Sequence, residues 1–212
     1  QAYQPSFQNS NFSVRVDRDF WNKYSQNERV GLKSVLGKRV VAEHGAREIL
    51  GWIASAAHAC GDPGMQYEDT IYKWITVSGD PTMVGTNPCA EFIWYPNSAC
   101  NLASLNVMKF LRDDGSLNET SIGKAVAVIV TAMDLLIDLA DYPNATIAAT
   151  TKLHRNLGLG LTNLATAIMR LGLPYDSDAA RRFAIDFQSY VHWAALSQSV
   201  RLSMLFGAAE GE

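Results

Sequence analysis

Three cysteines in 212 residues are too few, and odd in number, for a disulfide framework. That count fits a reducing compartment in which thiols are structural or catalytic. A large excess of either charge is also missing. The 18 basic and 21 acidic residues leave a net charge of -3, which gives no footprint for broad nucleic-acid binding. No apolar run reaches the roughly 18 residues that a membrane span needs. The longest, Ala125 to Ile137, is interrupted by Thr131 and Asp134. The chain opens on Gln1 rather than methionine and shows no signal peptide, which reads as processing or as a piece of a longer polypeptide. Metal-ligand spacing is absent: His58 and Cys60 lack a second pair, and His44, His154 and His192 are scattered. Gly158-Leu159-Gly160 puts Asn163 where a dinucleotide-binding fingerprint needs its third glycine. The two glycines instead suggest a close approach of strand and helix.

About half of the chain is apolar and 18% is charged, enough for a packed core in one domain or in part of a larger one. Phe12 to Val16 alternates and reads as a strand, and Asp17 can cap a helix carrying Phe20, Trp21 and Tyr24. Residues 25–38 are charged and give no clear signal. Ile49, Trp52, Ile53, Ala56 and Ala57 make one stripe of a helix over 46–59, closed by Cys60-Gly61-Asp62-Pro63-Gly64. Tyr67 to Val77 is ambiguous, residues 78–86 read as a loop, and Phe92 to Tyr95 as extended.

Leu105 to Leu111 reads as buried, and Asp113-Asp114-Gly115 as a turn. A helix over about 119–140 follows, with a polar stripe of Lys124, Thr131, Asp134, Asp138 and Asp141 and the remainder buried. Asn156 to Leu161 reads as a buried strand entering a helix over 162–171. Leu173 to Ser177 is a turn with a cap, and a last helix spans about 178–205. The end after Gly207 reads as frayed or cut. Trp52, Trp74, Trp94 and Trp193 are expected in the core. Short strands among long helices make the class α/β.

Chemistry concentrates in two blocks. Asn87-Pro88-Cys89-Ala90-Glu91 holds an amide, a turn-forming proline, a thiol and a carboxylate, and Cys100 follows eleven residues after Cys89. If the segment is extended, residues 87, 89 and 91 share a face. An amide can hold a hydroxyl, a carboxylate can accept its proton, and a thiol can do nucleophilic or hydrogen-atom chemistry. A lone cysteine is still more often a small buried hydrophobe than a reactive group. Cys100 is either a second core thiol or a redox partner. Cys60, at a helix end before Gly61, reads as structural.

Asn87-Pro88-Cys89-Ala90-Glu91 and Ala99-Cys100-Asn101-Leu102-Ala103-Ser104-Leu105-Asn106 resemble the finger-loop motif, and the block after it, of the adenosylcobalamin-dependent (class II) ribonucleotide reductases. Ser6-Phe7-Gln8-Asn9, Ser13-Val14-Arg15-Val16, Ala59 to Gly64, Arg155 to Gly160 and Leu173 to Ser177 match further blocks in order. The resemblance implies part of a ten-stranded α/β barrel, with long helices outside and the catalytic cysteine on an inner finger loop. Residues 1–212 would be one fragment of that barrel domain.

The resemblance also implies roles. Cys89 becomes the thiyl radical, Glu91 is the base for the 3′ hydroxyl, and Asn87 binds the substrate hydroxyls. Cys100 is one half of the reducing dithiol, with its partner outside this chain. The family's effector regions lie upstream, and its phosphate loop and C-terminal cysteine pair downstream. Substrate would be a ribonucleoside di- or triphosphate, and the cofactor adenosylcobalamin, with no metal bound by the chain's own residues. A thioredoxin-like reductant, a homodimer of the full-length chain and a cytoplasmic location follow. Nucleic acid and membrane are not expected partners. The alternatives are the diiron-type branch, an inactive or split fragment needing a partner chain, and a structural helical domain.

Overall fold

The computed structural model describes residues 9–75 and 85–211. The loop expected over 78–86 lies mostly outside them, as do Ser6, Phe7 and Gln8. The chain divides into two compact units, Gln1–Pro96 and Asn97–Glu212.

In the first unit, β1 (Ser13–Val16) pairs in parallel with β4 (Gly64–Tyr67), Val14 opposite Met65 and Val16 opposite Tyr67. Helix α1 (Arg18–Gln26) starts as the sequence indicates: the Phe20 amide donates to the Asp17 carboxylate at 2.8 Å. Val16, Phe20 and Ala46 form the core, with Trp21, Tyr24, Val30 and Ile49 against them. The uncertain stretch after α1 is an antiparallel hairpin, β2 (Arg29–Lys33) and β3 (Val40–Gly45). Its turn exposes Val35 and Leu36 almost fully, so apolar and polar residues do not alternate there.

Helix α2 (Ala46–Cys60) is closed by Gly61 in the left-handed conformation, at φ 83°. Ile53 is buried, but Trp52 is half exposed and stands edge-on to His44. Trp74 and Trp193 are exposed as well, which corrects the core expectation for three of the four tryptophans. A large ring at a helix surface covers its own turn and satisfies the apolar stripe without entering the core. After β4, α3 (Glu68–Trp74) settles the ambiguous segment. β5 (Gly85–Thr86) and β6 (Ile93–Trp94) then close a short antiparallel hairpin.

In the second unit, β7 (Asn101–Asn106) runs parallel to β8 (Leu157–Thr162), Leu105 opposite Leu161. The glycines of β8 face the neighbouring strand rather than a helix. A Cβ at Gly158 would meet Leu102, and one at Gly160 would meet Ser104. Helix α4 (Glu119–Leu139) buries Ile122, Val126, Val130, Met133 and Ile137 at steps of three and four, one stripe of the helix. Its opposite side exposes Val128, Leu135, Leu136 and Leu139. The burial expected on most sides is confined to that stripe in this unit. Helix α5 (Ala145–His154), capped by Asn144, was not foreseen, because its Ala- and Thr-rich sequence carries no apolar stripe. Helices α6 (Leu164–Arg170) and α7 (Asp178–Phe206) complete the unit, and Ser177 caps α7. Leu105, Val107, Ile122, Val126, Phe187 and Val191 are at the centre of its core.

Arg155 locks α5 onto α4. It caps α5 in the left-handed conformation, donates to the Asp134 carboxylate at 2.9 Å, and grips Asp138 through both terminal nitrogens. The hydrogen bond from Arg155 holds the Asp138 carboxyl below its ordinary range. The hydrogen bonds that Arg155 donates to Asp138, and then to Asp134, hold the guanidinium further above its own. A depressed carboxylate pKa stabilises the fold above the unfolded value of about 4, and the contribution is lost as pH falls through the lowered folded value. Asp138→Asn should therefore flatten the acid limb of the stability profile between about pH 5 and pH 2. Thermal melts across that range check it, and an unchanged acid limb in the variant would exclude this pair as its source.

The described residues thus form four two-stranded sheets together with the seven α-helices, a mixed α/β content without a closed barrel.

Candidate active site

The β5–β6 hairpin carries the first candidate block at its tip. The Asn87 amide donates to the Phe92 carbonyl at 3.2 Å, which closes the neck. The Ala90 amide donates to the Asn87 carbonyl at 3.1 Å, making a tight turn with Pro88 second, where its fixed φ suits the geometry. Ala90 then takes a left-handed conformation, at φ 61°. The Asn87 side-chain oxygen accepts from the Phe92 amide at 3.0 Å and braces the turn across its base. The segment is therefore not extended, and the shared face expected of residues 87, 89 and 91 does not form. Pro88 and the Asn87 side chain bend the backbone before an alternation can establish itself.

The turn divides the three candidates. Asn87 and Pro88 open on a polar cavity of about 400 Å³ shared with Ser13, Arg15, Gln66 and Thr86. Glu91 opens on an apolar cavity of about 490 Å³ whose walls include Tyr67, Ile71, Phe92 and Trp94. Phe92 and Trp94 stack there with ring centres 6.2 Å apart. Cys89 stands exposed at the turn between them. Gln66, which is buried, lines both cavities. It accepts from Arg15 at 3.1 Å and donates to Thr86 at 3.0 Å, tying β1, β4 and β5 together behind Asn87. The residue-by-residue reading did not single out Arg15, Gln66 and Thr86. The alternation of Ser13 and Arg15 along β1 was the available signal, because it places both on one face.

Cys100 belongs to the second unit, one residue before β7, and is exposed. Its neighbours are both anchored. The Ala99 amide donates to the Thr151 hydroxyl at 3.1 Å, and the Asn101 side chain donates to the Met133 carbonyl at 2.5 Å. Cys60 is also exposed, with its sulfur against the carbonyls of Ala56 and Asp62 at 3.3 and 3.5 Å, as a helix-end thiol should be. None of the three cysteines is disulfide-bonded. Among the described residues no cluster of three His, Cys, Asp or Glu side chains could hold a metal ion. No described helix is long and apolar enough to cross a membrane.

Residues 4–211 match the model of the ribonucleotide reductase barrel domain, and the chain belongs to that family. It is similar to the vitamin B12-dependent ribonucleotide reductase of Streptomyces coelicolor, at 39% identity over 97% of this chain and 22% of that protein. The enzyme of the same name from Rhodopirellula baltica is 38% identical over 97% of this chain and 20% of its own length. The vitamin B12-dependent ribonucleoside-diphosphate reductase of Mycobacterium tuberculosis is 34% identical over 93% of this chain and 28% of that protein. The chain spans about a fifth of the length of the first of these relatives.

Proposed function

We propose that this chain is the central part of the catalytic barrel of an adenosylcobalamin-dependent ribonucleotide reductase, with its two units in one barrel domain. The reaction replaces the 2′ hydroxyl of a ribonucleoside di- or triphosphate by hydrogen. Two thiols give up two hydrogens and become a disulfide, and the hydroxyl leaves as water. The single observation that carries the reading is the exposed Cys89 thiol on a hairpin tip braced by Asn87, with Glu91 beside it.

Each residue has a part. Cys89 on its finger loop takes the 3′ hydrogen as a thiyl radical and returns it at the end. Glu91 accepts the proton of the 3′ hydroxyl, a positioned base being worth roughly 10² to 10⁴ in rate. Asn87 spends its oxygen on the Phe92 amide, so its NH₂ group is the donor left to hold a substrate hydroxyl. Cys100 supplies half of the dithiol, and a thioredoxin-like reductant would restore it. The full-length chain would act as a homodimer in the cytoplasm, supplying precursors for DNA.

Tyr67, Ile71, Phe92 and Trp94 make an apolar, aromatic wall on the Glu91 side of the hairpin, and these are the residues that would hold an apolar edge of the cofactor. When bound, the cofactor supplies the initiating radical, and the protein supplies orientation and exclusion of water. The test is reduction by the complete polypeptide with adenosylcobalamin and no radical-bearing subunit. Turnover under those conditions is expected. Turnover that needs a metal-bearing second subunit would move the chain to the diiron-type branch, and none under either condition would make it an inactive relative.

A further inference from the structure

We infer that Thr86 is a specificity-determining residue that donates its hydroxyl hydrogen to the 2′ oxygen of the substrate, an inference that rests on the reaction proposed above. Gln66 and Arg15 are the positioning residues that set it. Gln66, 8% exposed, is one of two buried polar residues among those described. Its oxygen accepts from Arg15 Nε at 3.1 Å, and its NH₂ group donates to the Thr86 hydroxyl at 3.0 Å. The order of this chain is forced. A guanidinium has donors and no acceptor, so Gln66 must turn its oxygen to Arg15 and its NH₂ group to Thr86. The Thr86 oxygen is then the acceptor in that bond, and its own hydrogen is left to give. A chain of hydrogen bonds running one way polarises the last donor and strengthens the bond it makes.

Thr86 ends β5, Asn87 begins the turn, and both line the polar cavity of about 400 Å³. Among the described residues around that cavity Arg15 carries the only charge and none is a carboxylate, a set that suits an oxygen-bearing ligand. Glu91, the proposed base for the 3′ hydroxyl, opens on the other, apolar cavity. The polar side is left for the neighbouring 2′ oxygen, with the Asn87 NH₂ group and the Thr86 hydroxyl as adjacent donors. Substrate and product of the proposed reaction differ by that oxygen alone. A hydrogen bond to it holds the ribonucleotide and is lost once water leaves, so product gives way to new substrate. The bland account is that Gln66, opposite Arg15 in the β1–β4 register, ties three strands together. That account needs the tie and not its direction.

The experiment compares cytidine diphosphate with 2′-deoxycytidine diphosphate on the complete polypeptide, by equilibrium dialysis without cofactor so that neither is consumed. The ratio of the two dissociation constants cancels any effect on phosphate or base. The parent should bind the ribonucleotide about tenfold more tightly, the worth of one well-made hydrogen bond. Thr86→Val keeps the shape and removes the hydroxyl. It should weaken the ribonucleotide about tenfold and the deoxynucleotide less than about twofold, and Thr86→Ser should keep the parent's ratio. Gln66→Glu retains the tie, because a carboxylate accepts from both Arg15 and Thr86, but it draws the Thr86 hydrogen inward. It should erase the preference as Thr86→Val does, and it carries the test should circular dichroism show Thr86→Val unfolded. A parent without preference, a parental ratio in Thr86→Val, or equal losses for both nucleotides overturns the inference, and the proposed function stands if the parent still reduces with adenosylcobalamin. A parental ratio in Gln66→Glu beside a lost one in Thr86→Val overturns the positioning role. A parent that reduces no ribonucleotide overturns the proposed function and the inference with it.

Discussion

In the complete polypeptide, if it carries out the proposed reaction, Cys89→Ser should lower ribonucleotide reduction by at least about 10³-fold, a loss of about 4 kcal/mol of barrier lowering, while the protein folds as before. The change replaces one sulfur by oxygen at an exposed turn, so it opens no cavity and leaves no buried group without a partner. The brace of the turn uses the Asn87 side chain and the backbone of Ala90 and Phe92, none of which the substitution touches. What changes is chemistry, because a hydroxyl does not give up its hydrogen atom to form the radical that a thiol can. Cys60→Ser is the control. It too is exposed, and a hydroxyl can keep its contacts to Ala56 and Asp62, so its effect should stay within about twofold. Turnover of a radiolabelled ribonucleotide checks both. Near-parental activity in Cys89→Ser would sink the proposed function, whereas equal losses in both variants would point to a general destabilisation.

How far these residues could be read beforehand depended on where their physics is local. Helix starts were legible because a cap is one side chain three residues from its amide, as with Asp17 and Phe20 or Ser177 and Ala180. The α4 helix and its polar stripe were legible from a helical period in the sequence, whereas the confinement of burial to one apolar stripe was not, because Val128, Leu135, Leu136 and Leu139 are as apolar as the buried residues. The β2–β3 hairpin was hidden because Val35, Leu36, Val40 and Val41 are all exposed, which erases the expected alternation. Helix α5 buries one residue, Thr151, and polar burial leaves no pattern to find. At the candidate site the residue types were readable and the arrangement was not. Asn87 was seen as a substrate-binding amide, but half of its side chain closes the hairpin. Gln66 joins Arg15 to Thr86 across 51 and 20 residues of sequence, distances at which local spacing carries no information.

Phe187→Ala should destabilise the second unit by about 3 to 5 kcal/mol, the range for removing a fully buried aromatic ring. Phe187 is completely buried on α7, in the same cluster as Leu105, Val107, Ile122 and Val126, and its ring lies 6.2 Å from that of Phe110 at 54°. Its neighbours come from β7, the turn after it and α4, so no single element can collapse into the space it leaves. The loss then combines the apolar transfer of the ring, the tilted contact with Phe110 and the cavity. Phe187→Leu retains most of the volume and should cost less, about 1 to 2 kcal/mol. Urea titration followed by tryptophan fluorescence separates them: the midpoints should fall in the order parent, Phe187→Leu, Phe187→Ala at constant slope. A Phe187→Ala midpoint equal to the parent's would mean that α7 does not seat on β7 and α4 through this ring. The same core carries β7, so the strand that begins one residue after Cys100 should lose its hydrogen-exchange protection together with α7 in the alanine variant.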